Sequence, residues 1–566
     1  MRTRAGIGVL GVLLALACAS PAGAISPTIT EFSDGFNASD DISGLAAGPD
    51  GNLWFGLSAG AIGRMTPSGT VTRFSGGLRT GASPNDITAG PDGNLWFTDT
   101  GAVAIGRVTT GGAIQEFSNG LNPGADHLTD ITRGPDGNLW FTDLGSPAIG
   151  RVTPSGTIHE FDLDPGSQPF GIAAGPDGNL WFTDDKAVPA IGRMTPSGDF
   201  QEFSTGLNPG SQPAEIAAGP DGNLWFTDQG TEAAVGRITT AGQITEFPAA
   251  PAFLFGIASG PDGALWVGNE GVTAGSIARV LPGGDITSFN SGLNSGANPA
   301  KTALGPDGNM WFTDIGAKPA IGRITTPPTV TTVSATATGA TTAAILGLVD
   351  GHAQATTFHV EYGAVGGSIT STAGQSLGTT VGPTRGTAAL TRLRPSTTYQ
   401  ARIIGVNSTD SSAGAFLTFT TPPATDRITR MRLRPRVFVA ATHGGPVRGA
   451  RAAGALITYT GTQPATTTFT IERATLGRRA GRNCVKRNRR NRKRKTCVLY
   501  VKTGSFKHTD KPGRVRFRFT GRLHNRTLRV GRYRLSAEPH SAGGVGHIVR
   551  KHFGVKPAPH KKHKRT

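Results

Sequence analysis

Residues 90–99 read GPDGNLWFTD, and this stretch recurs with small changes seven times before residue 316. The copies begin at Gly48, Gly90, Gly134, Gly175, Gly219, Gly260 and Gly305, so that they are spaced by 42, 44, 41, 44, 41 and 45 residues. All seven tryptophans of the chain occupy the same position in the repeat. A period near 40 residues, built of strand-sized segments, is typical of a propeller or a solenoid.

Each repeat contains four short segments with strand character, separated by turns such as Pro-Asp-Gly, and four strands make one propeller blade. The seventh repeat ends near Thr326 without its fourth strand, which has the form ITEF in other copies. That segment stands instead at Ile29–Phe32. We therefore predict a closed seven-bladed ring in which the N-terminal strand completes the last blade.

The strand patterns along the rest of the sequence predict an all-β protein, with two β-sandwich modules after the propeller. Residues 25–326 form the propeller, and TTPP at 325–328 and 420–423 marks two linkers. Between them, residues 327–423 resemble a fibronectin type III domain, because LRPSTTYQARIIGVN (393–407) carries a candidate corner tyrosine at Tyr399. Residues 424–556 alternate Arg with apolar residues, as in Arg514–Phe519, which predicts a basic β-sandwich. Residues 557–566 predict a disordered basic tail.

Residues 1–24 have the pattern of a secretory signal, with Arg2 and Arg4 before an apolar run and Ala22-Gly23-Ala24 as the cleavage site. We expect a secreted protein, with lipid attachment at Cys18 as the alternative. Cys484 and Cys497 then remain, and two cysteines in an exported chain predict one disulfide.

Charge divides the chain into an acidic and a basic part. Residues 1–425 hold 19 Lys+Arg and 34 Asp+Glu, a balance of −15, whereas residues 426–566 hold 37 and 4, a balance of +33. The basic part predicts binding to an anionic cell-wall polymer or to phospholipid headgroups, with a merely solvated charged surface as the alternative. Nucleic acid is not expected, because the run VKRNRRNRKRKT between the cysteines contains no aromatic residue for base stacking.

Two kinds of charged residue repeat in the ring and are interpreted as scaffold. An Arg recurs on the third strand of every blade and a Glu on most fourth strands, and we expect these to form cross-strand pairs. An Asp ends the second strand in five blades (Asp99, Asp143, Asp184, Asp228 and Asp314). We expect each Asp to accept hydrogen bonds from backbone donors of its own turn.

Residues that break the repeat gather where the inner strands begin, at the mouth of the ring. Binding residues tend to vary on a constant frame, so this mouth is the predicted site for a small-molecule or peptide ligand. Asp86, Asp130 and Glu215 are the candidates for catalysis and for holding a divalent metal. Asn85, Phe170, Phe255 and Lys301 are predicted to line the mouth around them.

The repeat text GPDGNLWFTD, followed by AIGRVTPSGTITEF-like strands, resembles the streptogramin B lyases, also called virginiamycin B lyases, over residues 27–326. The resemblance implies a seven-bladed propeller that opens cyclic depsipeptides by Mg²⁺-assisted elimination, using two His and a Glu. The positions matching the His are Ser43, Asn85, Thr129, Phe170, Ala214, Phe255 and Ala300, and none is His. His127, in the loop entering blade three, is the remaining histidine candidate.

Three functions follow from these observations. The first is a carbon–oxygen lyase with altered residues, which the missing His pair disfavours. The second is a non-enzymatic secreted binding protein, expected to be a monomer, with the propeller as the ligand module and the basic region as a surface anchor. The third is a lactone or ester hydrolase of the kind found on metal-bearing propellers such as the gluconolactonases.

Overall fold

Each GPDGNLW copy forms a turn that is tied to its own tryptophan. In the second copy, Trp96 Nε1 donates to Asp92 Oδ1 at 3.1 Å, and Asn94 donates to the other oxygen of Asp92 at 2.8 Å. Gly93 turns the chain with a φ of 78°, and a Cβ on Gly90 would lie 2.4 Å from the indole. The indole–Asp hydrogen bond recurs in all seven copies, which explains why this stretch repeats.

The computed structural model describes residues 25–249, 253–271, 275–379, 381–448, 453–524 and 526–558, and no helix occurs among them. None of the described residues therefore belongs to a helix that could span a lipid bilayer. The predicted signal segment, including Cys18, and residues 559–566 of the predicted tail lie outside the described residues.

Seven four-stranded antiparallel sheets form the blades, as predicted. Blades one to three are β2 (Ile42–Ala47), β3 (Leu53–Leu57), β4 (Ala61–Met65), β5 (Val71–Phe74); β6 (Pro84–Ala89), β7 (Leu95–Asp99), β8 (Ala104–Val108), β9 (Ile114–Phe117); and β10 (Leu128–Arg133), β11 (Leu139–Asp143), β12 (Ala148–Val152), β13 (Ile158–Asp162). Blades four to six are β14 (Pro169–Ala174), β15 (Leu180–Asp184), β16 (Ala190–Met194), β17 (Phe200–Phe203); β18 (Pro213–Ala218), β19 (Leu224–Asp228), β20 (Ala234–Ile238), β21 (Ile244–Pro248); and β22 (Leu254–Ser259), β23 (Leu265–Asn269), β24 (Ser276–Val280), β25 (Ile286–Phe289). Blade seven is β26 (Pro299–Leu304), β27 (Met310–Asp314), β28 (Ala320–Ile324) and β1 (Ile29–Phe32).

The N-terminal strand closes the ring. Strand β1 pairs antiparallel with β28, with Ile29 opposite Ile324 and Phe32 opposite Ile321. Phe32 stacks on Trp311 with ring centroids 5.6 Å apart, which is the contact that the fourth-strand Phe makes with the Trp in the other blades. The predicted closure is thus confirmed, and the aromatic stack continues through the joint.

Both faces of each second strand are buried between neighbouring blades. All five residues of β7 are fully buried, and the same holds for the second strand of nearly every blade. The ring of Phe97 lies directly over Gly106 of the third strand, where a Cβ would be 2.0 Å from the ring. This Gly is therefore required because the Phe97 ring of the neighbouring strand covers it.

The predicted Arg–Glu cross-strand pairs are wrong. Arg107 lies opposite Gln115, whereas Glu116 lies opposite Gly106, one residue further along the strand. Because side chains alternate between faces, a one-residue offset puts Arg and Glu on opposite faces of the blade. The Arg107 guanidinium instead lies 5.7 Å from the ring centres of Trp96 and Phe117, and donates to the carbonyl of Pro154 in the next blade at 3.2 Å.

Two further pairs of sheets follow the ring. The first pair consists of β29 (Thr329–Gly339), β30 (Thr342–Asp350) and β34 (Thr384–Leu390), facing β31 (Ala355–Ala364), β32 (Thr370–Ser371), β33 (Gln375–Thr379), β35 (Thr398–Val406), β36 (Ser411–Ala413) and β37 (Leu417–Thr420). One core, containing Ile345, Phe358 and Ile403, joins the two sheets. The hydroxyl of Tyr399 accepts a hydrogen bond from the backbone N–H of Arg394 at 2.8 Å, as expected of a corner tyrosine.

The second pair forms the predicted basic β-sandwich. One sheet contains β38 (Thr429–Arg434), β40 (Val447–Arg448), β41 (Ala455–Gly461) and β45 (Gly513–Phe519). The other contains β39 (Val437–Val439), β42 (Ala465–Ala480), β43 (Asn483–Lys486), β44 (Thr496–Asp510), β48 (Gly531–Ser541), β49 (Gly544–Val545) and β50 (Val549–Lys556), and β46 (Arg522–Leu523) pairs with β47 (Arg526–Thr527). The Cys484–Cys497 disulfide is present near the end of the long β42–β44 hairpin.

Candidate functional site at the mouth of the propeller

A threonine in the second strand of most blades sets the spacing of the inner strands. Thr98 accepts a hydrogen bond from the backbone N–H of Asp86 at 3.0 Å and donates to the carbonyl of Thr129 in the next blade at 3.1 Å. The equivalent threonines of blades three, four and five make the same pair of bonds. The inner strands are therefore held at fixed separation around the central axis.

The third residue of each inner strand lies close to this axis. In chain order these residues are Gly44, Asp86, Asp130, Gly171, Glu215, Gly256 and Lys301. A Cβ on any of the three glycines would lie 2.5–2.7 Å from the backbone of the neighbouring inner strand. The crowding explains the glycines, and the four charged residues are thereby brought together.

These four charged side chains form one buried ionic cluster, which is called the axial cluster below. Lys301 Nζ lies 2.6 Å from Glu215 Oε1 and 3.5 Å from Asp86 Oδ1. Asp130 accepts from the backbone N–H groups of Ile131 at 2.9 Å and Ile172 at 2.7 Å. Three carboxyl groups thus share one ammonium group and backbone donors.

Burial dominates the protonation of the axial cluster. It raises the pKa of Asp86 well above its ordinary value and that of Glu215 to about 7, although the charge of Lys301 acts in the opposite direction. For Lys301 itself burial favours the neutral amine, but the charges of Asp86, Glu215 and Asp130 together raise its pKa. The cluster therefore favours the ammonium form of Lys301, and Glu215 takes up a proton near neutral pH.

The axial cluster divides the central channel into two cavities. The cavity at the mouth has a volume of about 230 Å³, and the cavity on the other side has about 380 Å³. Asp130, Glu215 and Lys301 line both. At the mouth, Phe170 and Phe255 meet edge to face with centroids 6.1 Å apart, and Lys301 Nζ lies 5.8 Å from the ring centre of Phe255.

Most of the predicted site residues come together, but His127 does not. Asn85, Phe170, Phe255 and Lys301 line the mouth cavity, and Asn85 also donates to the carbonyl of Thr129 at 3.0 Å. Asp86 lines the cavity on the other side of the cluster. His127 is exposed and lies outside both linings, where its carbonyl accepts a hydrogen bond from Leu144 at 3.0 Å.

Glu270 and Ser58 also line the mouth cavity and were missed by the sequence reasoning. Each follows directly after the second strand of its blade, at a position that differs in every copy: Ser58, Thr100, Leu144, Asp185, Gln229, Glu270 and Ile315. This variation among the seven copies is the sequence signal by which these two residues could have been predicted. Burial raises the pKa of the Glu270 carboxyl above its ordinary value.

The repeated Asp at the end of the second strand is structural. Asp99 accepts from the backbone N–H groups of Ser83 at 2.8 Å and Ala102 at 2.9 Å. Burial and the neighbouring carboxyl group of Asp99 raise the pKa of Glu116, on the fourth strand, to about 7. Equivalent Asp–Glu pairs occur in five blades: Asp99 with Glu116, Asp143 with Glu160, Asp184 with Glu202, Asp228 with Glu246, and Asp314 with Glu31.

The axial cluster does not fit Mg²⁺. Among the described residues, no three His, Cys, Asp or Glu side chains are arranged to hold a metal ion. The ammonium group of Lys301 occupies the position between Glu215 and Asp86 where a cation would have to bind. A divalent ion there would meet a like charge at short range.

The fold and the mouth together define a seven-bladed β-propeller with a charged, aromatic-lined axial site. The sequence profile of the virginiamycin B lyase family matches residues 25–163 and 119–366, more than half of the chain, and the chain belongs to this family. A search of curated proteins gave no match.

Several solved structures are similar to the propeller. A catalytically inactive histidine-to-alanine variant of virginiamycin B lyase from Staphylococcus aureus, solved with quinupristin, is 33% identical, with 53% of this chain and 100% of that chain covered and a TM-score of 0.48. A streptogramin B lyase structure is 31% identical, with 53% and 97% covered and a TM-score of 0.48. A gluconolactonase from Xanthomonas campestris is 16% identical, with 54% and 99% covered and a TM-score of 0.34.

Proposed function

We propose that the propeller is a secreted ligand-binding module that does not carry out the elimination implied by its family. The observation that supports this most strongly is the commitment of Lys301 to Glu215 and Asp86 at 2.6 and 3.5 Å. A general base must be free to approach the proton it removes. Here the two carboxyl groups already contact an ammonium group, and the positions that would hold the family's His pair contain other residues.

The proposed ligand is a small organic cation with an apolar group, or one such side chain of a larger molecule. A cavity of about 230 Å³ is smaller than the roughly 300–1,000 Å³ of sites for drug-sized ligands, so a fragment or a single side chain fits it. Phe170 and Phe255 offer aromatic surface, and rings of this kind attract cations. Asp41 and Glu270 add carboxyl groups to the lining.

The binding test uses phenethylammonium as the probe and the full chain as the receptor. Ligand-observed NMR should show binding to the unaltered protein and loss of binding in Phe255→Leu. Phe253→Leu is the matched control, because Phe253 is exposed, lies two residues away and does not line the cavity. Equal binding by both variants would contradict the assignment of the ligand to the mouth.

The catalytic test uses quinupristin with and without Mg²⁺, followed by chromatography and mass analysis. We expect the compound to be recovered unchanged. A ring-opened product of unchanged mass would establish elimination and would require one of Asp86, Asp130 and Glu215 to act as the base. A gain of one water would establish hydrolysis and would favour a lactone or ester hydrolase. Either product would overturn the binding-only proposal.

We also propose that the basic region after the propeller attaches the protein to an anionic surface. The excess of positive charge after residue 425 supports this attachment, because such a surface attracts polyanions at long range. The attachment is tested by sedimenting the full chain with anionic polymer or anionic vesicles. Residues 25–425 alone, which lack the basic region, are the control. Equal retention of both would contradict it.

A further inference from the structure

A concave basic cleft lies at one edge of the second β-sandwich. It has a volume of about 870 Å³ and is lined by Arg430, Arg432, Arg434, Arg436, Arg550 and Lys551. One wall is β38 and the residues that follow it, and the opposite wall is β50 of the other sheet. The cleft therefore places cations on two facing walls, which a single charged strand would not do.

The alternation along β38 fixes the direction of its cations. Met431 and Leu433 are buried in the core of the sandwich, and Arg430, Arg432 and Arg434 between and beside them are exposed. Residues two apart on a strand lie about 6.6 Å apart on the same face. The core thus holds a row of guanidinium groups toward solvent, which is regular at Arg432 and Arg434. Arg430, with a φ of 53°, lies in a bulge of the strand and departs from that spacing.

No acidic side chain neutralises this row. The module from residue 426 onward contains only four acids: Asp426, Glu472, Asp510 and Glu538. Asp426 and Asp510 are buried, where they accept hydrogen bonds from the backbone N–H of Thr462 at 2.7 Å and from the hydroxyl of Tyr459 at 2.6 Å.

The other two acids form their ion pairs with residues outside the cleft lining, although the charge of Arg550, which does line the cleft, reaches Glu472 at longer range. Glu472 pairs with Arg534 at 2.7 Å, with Arg550 further lowering its pKa from a distance, and Glu538 lies 3.5 Å from His540. Within the described residues, none of the six cleft cations has a carboxylate within ion-pair distance. Their mutual repulsion is left for an external anion to relieve.

We propose that this cleft binds a linear phosphate-bearing polymer that carries no nucleobases, since none of the described residues that line it is a Phe, Tyr or Trp for base stacking. This inference rests on the proposed attachment of the basic region to an anionic surface. Guanidinium groups form two parallel hydrogen bonds to phosphate, and five of the six cleft cations are Arg. A chain can enter between two walls and contact both, whereas the flat surface of a bilayer can approach only the rim. Arg432 and Arg434 on β38 then contact separate phosphates of the same chain.

Binding of inorganic polyphosphate by the full chain, measured by calorimetry over a range of salt concentrations, tests the proposal. The cleft variant is Arg432→Gln/Arg434→Gln/Lys551→Gln. The control is Arg489→Gln/Arg490→Gln/Arg492→Gln, which removes the same charge from exposed residues between Cys484 and Cys497. At about fivefold per cation, the cleft variant should bind roughly 100-fold more weakly, and the slope of log affinity against log salt should fall by about 2. The control should change much less.

The possible results separate the cleft from the attachment. If both variants bound polyphosphate equally weakly, binding would depend on diffuse positive charge. That result would overturn the cleft proposal while leaving the proposed attachment intact. Binding to anionic vesicles but not to polyphosphate, or tighter binding to oligo-dT than to polyphosphate, would overturn it in favour of a membrane or of single-stranded nucleic acid. Binding to none of these probes would overturn the attachment itself. An unchanged unfolding temperature of the second sandwich in the cleft variant confirms that loss of binding is not loss of fold.

Discussion

Replacing Lys301 by Met tests whether the axial cluster is held by charge. The side chain contacts Glu215 and Asp86, so its removal leaves buried carboxyl groups without their cation. Breaking a buried ion pair in this way costs about 3–5 kcal/mol when the remaining charge must stay ionised. A protonated carboxyl group carries no such cost, so the penalty should depend on pH.

The direction of that dependence follows from the pKa of Glu215. Burial raises it to about 7, so folding favours the protonated form, and the stability linked to that proton is lost as the pH rises through 7. Without Lys301 the pKa of Glu215 moves higher still, and the loss continues above pH 7 at about 1.4 kcal/mol per pH unit. Between pH 7 and pH 9 this amounts to about 3 kcal/mol, whereas at pH 6 the variant should lie within about 1 kcal/mol of the unaltered protein.

Urea unfolding at pH 6 and pH 9, followed by tryptophan fluorescence, measures this difference. All seven tryptophans belong to the ring, so the signal reports the propeller and neither sandwich. Lys301→Arg keeps the charge, so its loss of stability relative to the unaltered protein should depend little on pH. Lys301→Met/Glu215→Gln should recover much of the stability that Lys301→Met loses at pH 9. The same penalty at both pH values would refute the reasoning, because Lys301 would then act through packing alone.

Three further perturbations test the scaffold. Asp136→Ala removes the acceptor of the Trp140 indole N–H, and leaving this buried donor unpaired should cost about 1–3 kcal/mol in urea unfolding; an unchanged midpoint would show that the turn is not tied to the indole. Glu246→Gln should flatten the pH dependence of ring stability, because Glu246, whose pKa is raised to about 8 by burial and by Asp228, loses its stabilising proton as the pH rises through 8. Parallel curves of ring stability against pH for the variant and the unaltered protein would contradict the raised pKa of Glu246. Phe32→Ala removes the stack at the closure and should lower ring stability by about 2 kcal/mol, and a smaller effect than that of a surface substitution would argue against β1 as the closing strand.

The architecture was predictable because its causes are local. A Gly that admits the indole, an Asp that binds it and a Gly with positive φ lie within seven residues, as in Gly90, Asp92 and Gly93. The position of β1 was also predictable, because the seventh repeat lacks its fourth strand and the N-terminal segment has the sequence of a fourth strand. The Arg–Glu pairing failed because register depends on which residue of the fourth strand stands opposite the third, and a shift of one residue reverses the face.

The site was predictable only in part. Failure to repeat identified Asp86, Asp130, Glu215 and Lys301, which come together in the axial cluster, although Asp86 lines the cavity beyond it and not the mouth cavity. That Lys301 and Glu215 meet, although 86 residues separate them, depends on the width of the channel and on the course of each inner strand near the axis. Neither quantity is encoded in a short motif. The sequence therefore identified the charged residues but did not predict which of them contact each other.

Because β1 pairs with β28, blade seven is built from both ends of the propeller sequence, whereas every other blade is one continuous segment. The backbone N–H of Thr28 donates to the side chain of Thr325, across 297 residues, so the first and last strands of the ring are neighbours in space. A rearranged gene that starts at Ile42 and carries the segment of β1 after Ile324 would encode seven blades, each from one continuous stretch. In such a chain no peptide segment would cross the seam between the first and last blades, so only noncovalent contacts between these blades would hold the ring closed.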